Sequence, residues 1–240
     1  MTSLDKVALA VSVSFLMVFF SCSARIDGVV REGGAADLSL TTSLEPRTTS
    51  LIRSLQGFMG DTSDAPVLDG ATIGQSMAAA PGIRSVSLGN TGPAALAGAI
   101  SISNVGDFLT AEDAKNRFIT YNEGPGPGTS SIIISLDKDS APELISLLSP
   151  DVEDYLSALM APAVTGETSS AREYLDLVAL VYGRPLADEI AAARIRATIE
   201  FPRPVTAVKG GAASGKKAEF EIPLTDLLVL EQPLLYEIYW

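Results

Sequence analysis

The chain has 240 residues, with 17 Lys and Arg against 29 Asp and Glu, a net charge of −12, no histidine and a single cysteine. Without histidine there is no Ser-His-Asp triad, no Cys-His dyad, no imidazole metal ligand and no imidazole proton shuttle. One cysteine excludes an internal disulfide and a multi-cysteine zinc site.

The length fits one domain, and an apolar content of 47% is enough for a real core. The acidity argues against a nucleic-acid partner, because neutralising phosphates takes clustered Lys and Arg. With 6% aromatic residues and one Trp there is no evident stacking platform for bases or sugars.

In chain order, Lys6 ends a short polar segment and residues 7–20 (VALAVSVSFLMVFF) form an uncharged apolar run. A membrane-spanning helix takes about 20 such residues. A run this short reads as the apolar centre of a secretory signal. It ends in Phe19-Phe20-Ser21-Cys22, which holds the lone cysteine. This arrangement resembles a bacterial lipoprotein signal peptide. The resemblance implies diacylglyceryl transfer to the Cys22 thiol, cleavage between Ser21 and Cys22, and residues 22–240 as the mature chain. Ser21 matches the small residue before the cysteine. Phe19 and Phe20 are bulkier than the usual aliphatic and small residues, so the box is similar to the relaxed ones of spirochaetal lipoproteins. An exported protein with an unpaired thiol carries a liability, which lipidation removes. Two or three acyl chains anchor stably where one is marginal. The expected location is the cell envelope, with the protein exported and tethered by lipid to the inner or outer membrane.

The mature chain is expected to be a single α+β domain: a mainly antiparallel sheet with an inserted helical block at about residues 140–193. Residues 25–45 read as a hairpin around Glu32-Gly33-Gly34. Pro46 opens a helix to Phe58, stopped by Gly57 and Gly60. Asp69 caps a short helix running through Ala80. A second hairpin runs from Ile83 to Val105 around Asn90-Thr91-Gly92-Pro93. A third pairs Phe118–Tyr121 with Ile132–Leu136 through Gly124-Pro125-Gly126-Pro127-Gly128. From Ser140 the period turns helical. One helix follows the Ser140-Pro142-Glu143 cap, another follows Pro150-Asp151, a stronger one runs from Ser169 or Ser170 to Tyr182, and the last opens at Pro185 and ends near Ala193. The tail returns to strands at Ile195–Phe201, Ala218–Ile222 and Leu234–Trp240.

Candidate chemistry is sparse. Residues 210–217 nearly match the phosphate-binding loop, but Lys217 stands where the hydroxyl residue belongs and a strand follows where a helix is needed. A hairpin loop is the better reading. Ser214 and Lys217 also spell S-x-x-K, without the helix start that motif needs. The GPGPG segment lacks the N–H donors of a dinucleotide loop and reads as a turn. Carboxylates sit close in sequence at Asp137/Asp139, Asp151/Glu153/Asp154 and Asp188/Glu189. The last two sets are expected in first helical turns, where acids favour the dipole. Residues 194–217 hold six bases against Glu200 alone. They read as a solvated hairpin balanced by acidic helices, with contact to anionic lipid as the alternative. No metal site and no cofactor are expected.

The order of the last elements is strand, glycine-rich turn, strand, Pro223-Leu224-Thr225-Asp226-Leu227-Leu228, strand and Trp240. Together with the hairpin after Cys22 it resembles mycobacterial LppM-type and uncharacterised spirochaetal lipoproteins. The resemblance carries no catalytic residue and implies an envelope protein of unknown activity. Two functions stand: a lipid-anchored binding or assembly module for a hydrophobic or protein ligand, without catalysis, or a lipid-anchored hydrolase of envelope polysaccharide using two carboxylates. Two carboxyl groups about 5–9 Å apart in a cleft would mark the hydrolase. An apolar groove between sheet and helices would mark the binder.

Overall fold

The computed structural model describes residues 23–58, 66–80, 82–110, 118–141 and 155–240. Ser21 and Cys22, the Asp151/Glu153/Asp154 set and the helix expected after Pro142 lie outside them. Among the described residues no helix is long and apolar enough to cross a membrane.

The chain is α+β, as the alternation of periods predicts. The strands divide into two sheets rather than one. Sheet A has seven strands: β1 (Ser23–Val30), β2 (Ala36–Ser43), β3 (Ile83–Gly92), β4 (Ala95–Ile102), β7 (Arg194–Glu200), β9 (Ala212–Ser214) and β10 (Lys217–Pro223), in the order β3-β4-β2-β1-β7-β10-β9. Sheet B has four: β5 (Ile119–Asn122), β6 (Ser131–Leu136), β8 (Ala207–Lys209) and β11 (Leu234–Tyr239), in the order β5-β6-β11-β8. Among the described strands β1 and β7 pair in parallel and the other pairs are antiparallel.

The three predicted hairpins form. In the first, Gly33 and Gly34 take φ +80 and +79, a region that side-chain-bearing residues avoid. In the second, β3 runs on through Asn90 to Gly92, so the turn is shorter than the sequence suggests. Val105 leaves the strand and starts α3 (Val105–Thr110), where its N–H donates to the Gly34 carbonyl at 2.7 Å.

The helices follow their caps. α1 spans Pro46–Phe58. α2 spans Gly70–Ala78, and Asp69 accepts the Ala71 and Thr72 N–H groups. α5 (Ala171–Tyr182) starts in a full capping box, with Ser170 and Glu173 each bonding the other's backbone. α6 (Arg184–Ala192) follows Gly183, whose φ of +93 breaks the two helices apart. Three helices escape the sequence reading, the first of them α3, which begins where the second hairpin is expected to end. α4 (Pro162–Thr165) is a single turn. α7 (Leu224–Val229) has five of its six side chains buried and therefore shows no amphipathic period.

The glycine-rich segment after β7 is not a plain loop. It carries β8 in sheet B and β9 in sheet A, and so crosses between the sheets. Gly210 makes the crossing: its φ is +76, and a Cβ there would lie 2.6 Å from Tyr236 Cδ1 and 2.7 Å from the Leu235 carbonyl. Ser214 and Lys217 sit opposite one another across β9 and β10, which disposes of both loop motifs.

Candidate functional site

Alternation gives the central strands of sheet A one apolar side. On β1, Ala24, Ile26, Gly28 and Val30 share a face, which continues as Ala36, Leu38 and Leu40 on β2, as Ile195, Ala197, Ile199 and Phe201 along β7, and as Ala218, Phe220 and Ile222 on β10. The opposite face carries Arg25, Asp27, Asp37, Arg196, Glu219 and Glu221. Sheet B turns Ile132 and Ile134 of β6 and Tyr236 and Ile238 of β11 towards the apolar face.

The two sheets do not close on each other. They border a partly open cavity of about 240 Å³ whose lining, among the described residues, is apolar, and to which α3 contributes Val105 and Phe108. Gly28 shapes its floor: a Cβ there would lie 2.5 Å from Leu38 Cδ2 and 2.9 Å from Ile199 Cδ1, so both side chains lean over the glycine. One end is closed by aromatic rings. Trp240 packs on Phe201 with centroids 4.5 Å apart and on Tyr121 at 6.3 Å. Tyr236 meets Phe220 edge-on at 5.8 Å. Among the described residues of the lining, Tyr236 carries the one titratable group, and burial, with Asp226 nearby, pushes its phenol up.

A polar tie holds the end of the cavity marked by Val30 and Phe201. Arg203 follows β7 on the way to sheet B. Its Nη1 donates to the Gly124 and Gly126 carbonyls at 3.2 and 2.8 Å, and its Nε and Nη2 donate to the Glu32 carboxylate at 3.3 and 3.1 Å. It therefore joins the β1–β2 turn of sheet A to the GPGPG loop of sheet B. The Arg203 guanidinium holds the Glu32 carboxyl below its ordinary value.

The basic stretch finds its carboxylate partners on strands and turns, and Arg194 also donates to the Ala191 and Ala193 carbonyls at the end of α6, both at 2.7 Å. Arg196 and Arg194 face Glu221, Lys217 faces Glu200, and Lys209 faces Glu237. The register of β7 with β10 and of β8 with β11 sets these pairs.

The described acids serve local structure. Asp137 accepts the Asp139 and Ser140 N–H groups and the Ser140 hydroxyl, which hold its carboxyl below its ordinary value. Asp188 pairs with Arg184 at 3.0 Å. Neither Asp188 nor Glu189 lies in the first turn of its own helix, contrary to the expectation from sequence. Glu189 reaches another helix. It accepts the Arg47 and Thr48 N–H groups and the Thr48 hydroxyl at 2.9–3.1 Å, and so caps α1 from 141 residues away. Glu231 does the same for α5 through the Ala171 N–H at 3.0 Å. Asp226 is raised by burial, but the neighbouring acid, Glu231, is the one committed to α5. Among the described residues no cluster of three or more acid side chains could hold a metal ion. Tyr174 buries its hydroxyl without a hydrogen-bond partner, and burial raises it strongly.

The cavity is the feature that the sequence hides, because Ile, Ala and Phe lining a void alternate as they do in a filled core. Ser21 and Cys22, the predicted processing residues, lie just ahead of Ser23, where β1 begins.

No family model matches the chain, and neither does any curated protein. Among solved structures, the NMR structure of the folded domain of Mycobacterium tuberculosis LppM is similar, with 10% identity and a TM-score of 0.39 over 90% of this chain and 87% of that one. A likeness that distant carries nothing about what either protein binds.

Proposed function

We propose that the chain is a lipid-anchored envelope protein that binds an apolar guest between its two sheets and performs no chemistry on it. The observation that carries this reading is the cavity. A void of about 150 Å³ lined by Leu, Ile and Phe stays dry and takes up benzene-sized guests. One of about 240 Å³ with no charged group among the described residues of its lining accommodates a larger ring system or a hydrocarbon segment. The character of the lining favours binding: hydrolysis of a glycosidic bond takes a raised acid facing an ionised carboxylate, and among the described residues the lining holds no carboxylate. The anchor rests on the signal-like run of residues 7–20 and on Ser21-Cys22.

Ala197 lines the cavity, so Ala197→Phe places a ring in it. Detergent-free protein beginning at Ser23, titrated with N-phenyl-1-naphthylamine, should show a saturable rise in fluorescence. Ala197→Phe should lower the affinity at least about tenfold, equivalent to about 1.4 kcal/mol, with Tm unchanged or raised. Equal affinity in the two proteins places the guest elsewhere and removes the reading. For the anchor, the wild type should incorporate labelled palmitate and fractionate with membranes, and Cys22→Ala should do neither. Palmitate-free wild type, with the variant still on membranes, would sink the lipid tether.

A further inference from the structure

The register of sheet A gives the cavity a direction. The inward side chains form rows that run from strand to strand. In the first row Ile102, Ala36 and Val30 stand side by side on β4, β2 and β1, and all three line the cavity. Phe201 continues this row beyond β7, since Glu200 before it pairs with Val29. In the second row Leu38 and Ile199 line the cavity on either side of Gly28. In the third the lining residues are Ala197 on β7 and Phe220 on β10, while Leu40 and Ile26, in the same row on β2 and β1, pack with the core. In the fourth it is Ile222 on β10. Among the described residues the lining therefore crosses the strands obliquely, from β4 towards β10. Sheet B follows the same line. Trp240 packs on Phe201 of the first row and Tyr236 on Phe220 of the third, so β11 runs along the track.

Two residues of the track are short. Ala36 in the first row and Ala197 in the third stand among Ile, Val, Leu and Phe side chains. Ala36 pairs with Val30, and Ala197 pairs with Ile26 on the same strand β1. At the usual strand spacing and rise, the two alanines are about 16 Å apart. A cavity of about 240 Å³ drawn out over that distance is narrow. A compact ring system covers one alanine and leaves the rest of the wall without contacts. An unbranched chain touches the wall along its length. We propose that the guest is a single unbranched hydrocarbon chain lying obliquely across sheet A, with Ala36 and Ala197 beneath its two ends. The inference rests on the apolar-guest reading above and narrows its ligand class.

The test displaces N-phenyl-1-naphthylamine from the full chain with two alcohols of equal carbon number, unbranched 1-decanol and the compact cage 1-adamantanol. Any probe held by the apolar run of residues 7–20 is common to all variants and cancels in the comparison. Affinity for unbranched alcohols should rise about fourfold per methylene up to the length of the track. Ala36→Phe and Ala197→Phe should each weaken 1-decanol at least about tenfold. 1-Adamantanol should lose affinity in at most one of them. Tm is read for each variant, and Ala36→Leu takes the place of Ala36→Phe if the ring lowers it. In a further arm, displacement by lysophosphatidylcholine assigns the chain to a phospholipid, and displacement by 1-decanol without it assigns a free amphiphile; both support a chain. Indifference of 1-decanol to either alanine site overturns the proposal, as does equal loss of 1-adamantanol at both. In those outcomes saturable binding of the probe persists and the apolar-guest reading stands. Absence of saturable binding to the wild type removes that reading and the chain with it.

Discussion

Two regions of one apolar cluster are built in opposite ways. Among α1, α6, α7 and the helical turn at 155–158, the void bordered by Ile52, Tyr155, Leu186 and Leu228 is about 20 Å³, close to the room for one water. Between the sheets it is about 240 Å³. Both regions belong to the same continuous set of buried side chains. Where helices meet, leucines and isoleucines from several directions interdigitate to crystal-like density. Where sheet faces sheet, side chains stand at fixed intervals, and Gly28, Ala36 and Ala197 are too short to cross the gap. The filled region is held by packing. The hollow one is spanned by the Arg203 tie and by the Trp240–Phe201 contact. A protein that binds by filling a void needs that division, because the packed half keeps the fold while the other half stays open.

The contrast can be broken by truncation. Leu228→Ala, in the packed region, should cost about 3–4 kcal/mol in denaturant unfolding. Ile134→Ala, facing the cavity, should cost about 1–2 kcal/mol, since that side chain already lacks neighbours on one side. Equal losses would mean that the cavity collapses in solution. A smaller effect sharpens the role of the helix layer. Glu189→Ala leaves the first turn of α1 uncapped and should cost about 1 kcal/mol, with Glu189→Gln recovering part of it. The smallest effect concerns the hollow side. Glu32 titrates lower when folded because of Arg203, so its contribution is present above the ordinary carboxylate range of about 4 and is lost as pH falls through the lowered value. Tm of wild type should therefore drop more steeply below about pH 4.5 than Tm of Glu32→Gln. Salt should narrow the gap, since Glu32 is exposed.

How much of this the sequence discloses depends on whether the cause is local. Ser170 and Glu173 are three residues apart and announce a helix start. So do Asp69 before α2 and the paired glycines of the first hairpin. The pairing of β1 with β7 has no local signal, because Ser23 and Arg194 meet across most of the chain. Alternation in β6 and β11 identifies the buried side of each strand but not which sheet it joins. The short strands β8 and β9 are masked by the glycines that turn between them. Glu189 reads as an ordinary acid of its own helix until α1 is placed beside it. The cavity is the extreme case: its lining residues are core residues in type and spacing, and only the distance between the sheets makes them a site.

The parallel pairing of β1 also orders events in time. β1 finds β2 within a few residues, but its other edge stays bare until β7, beyond residue 193, is available, and β7 in turn is covered by β10. Contacts that close such long loops are slow to form. A chain shortened before Arg194 would present the β1 edge to other chains, and a complete one should fold in milliseconds or longer, well after its hairpins. The first described strand is thus among the last to be secured on both of its edges.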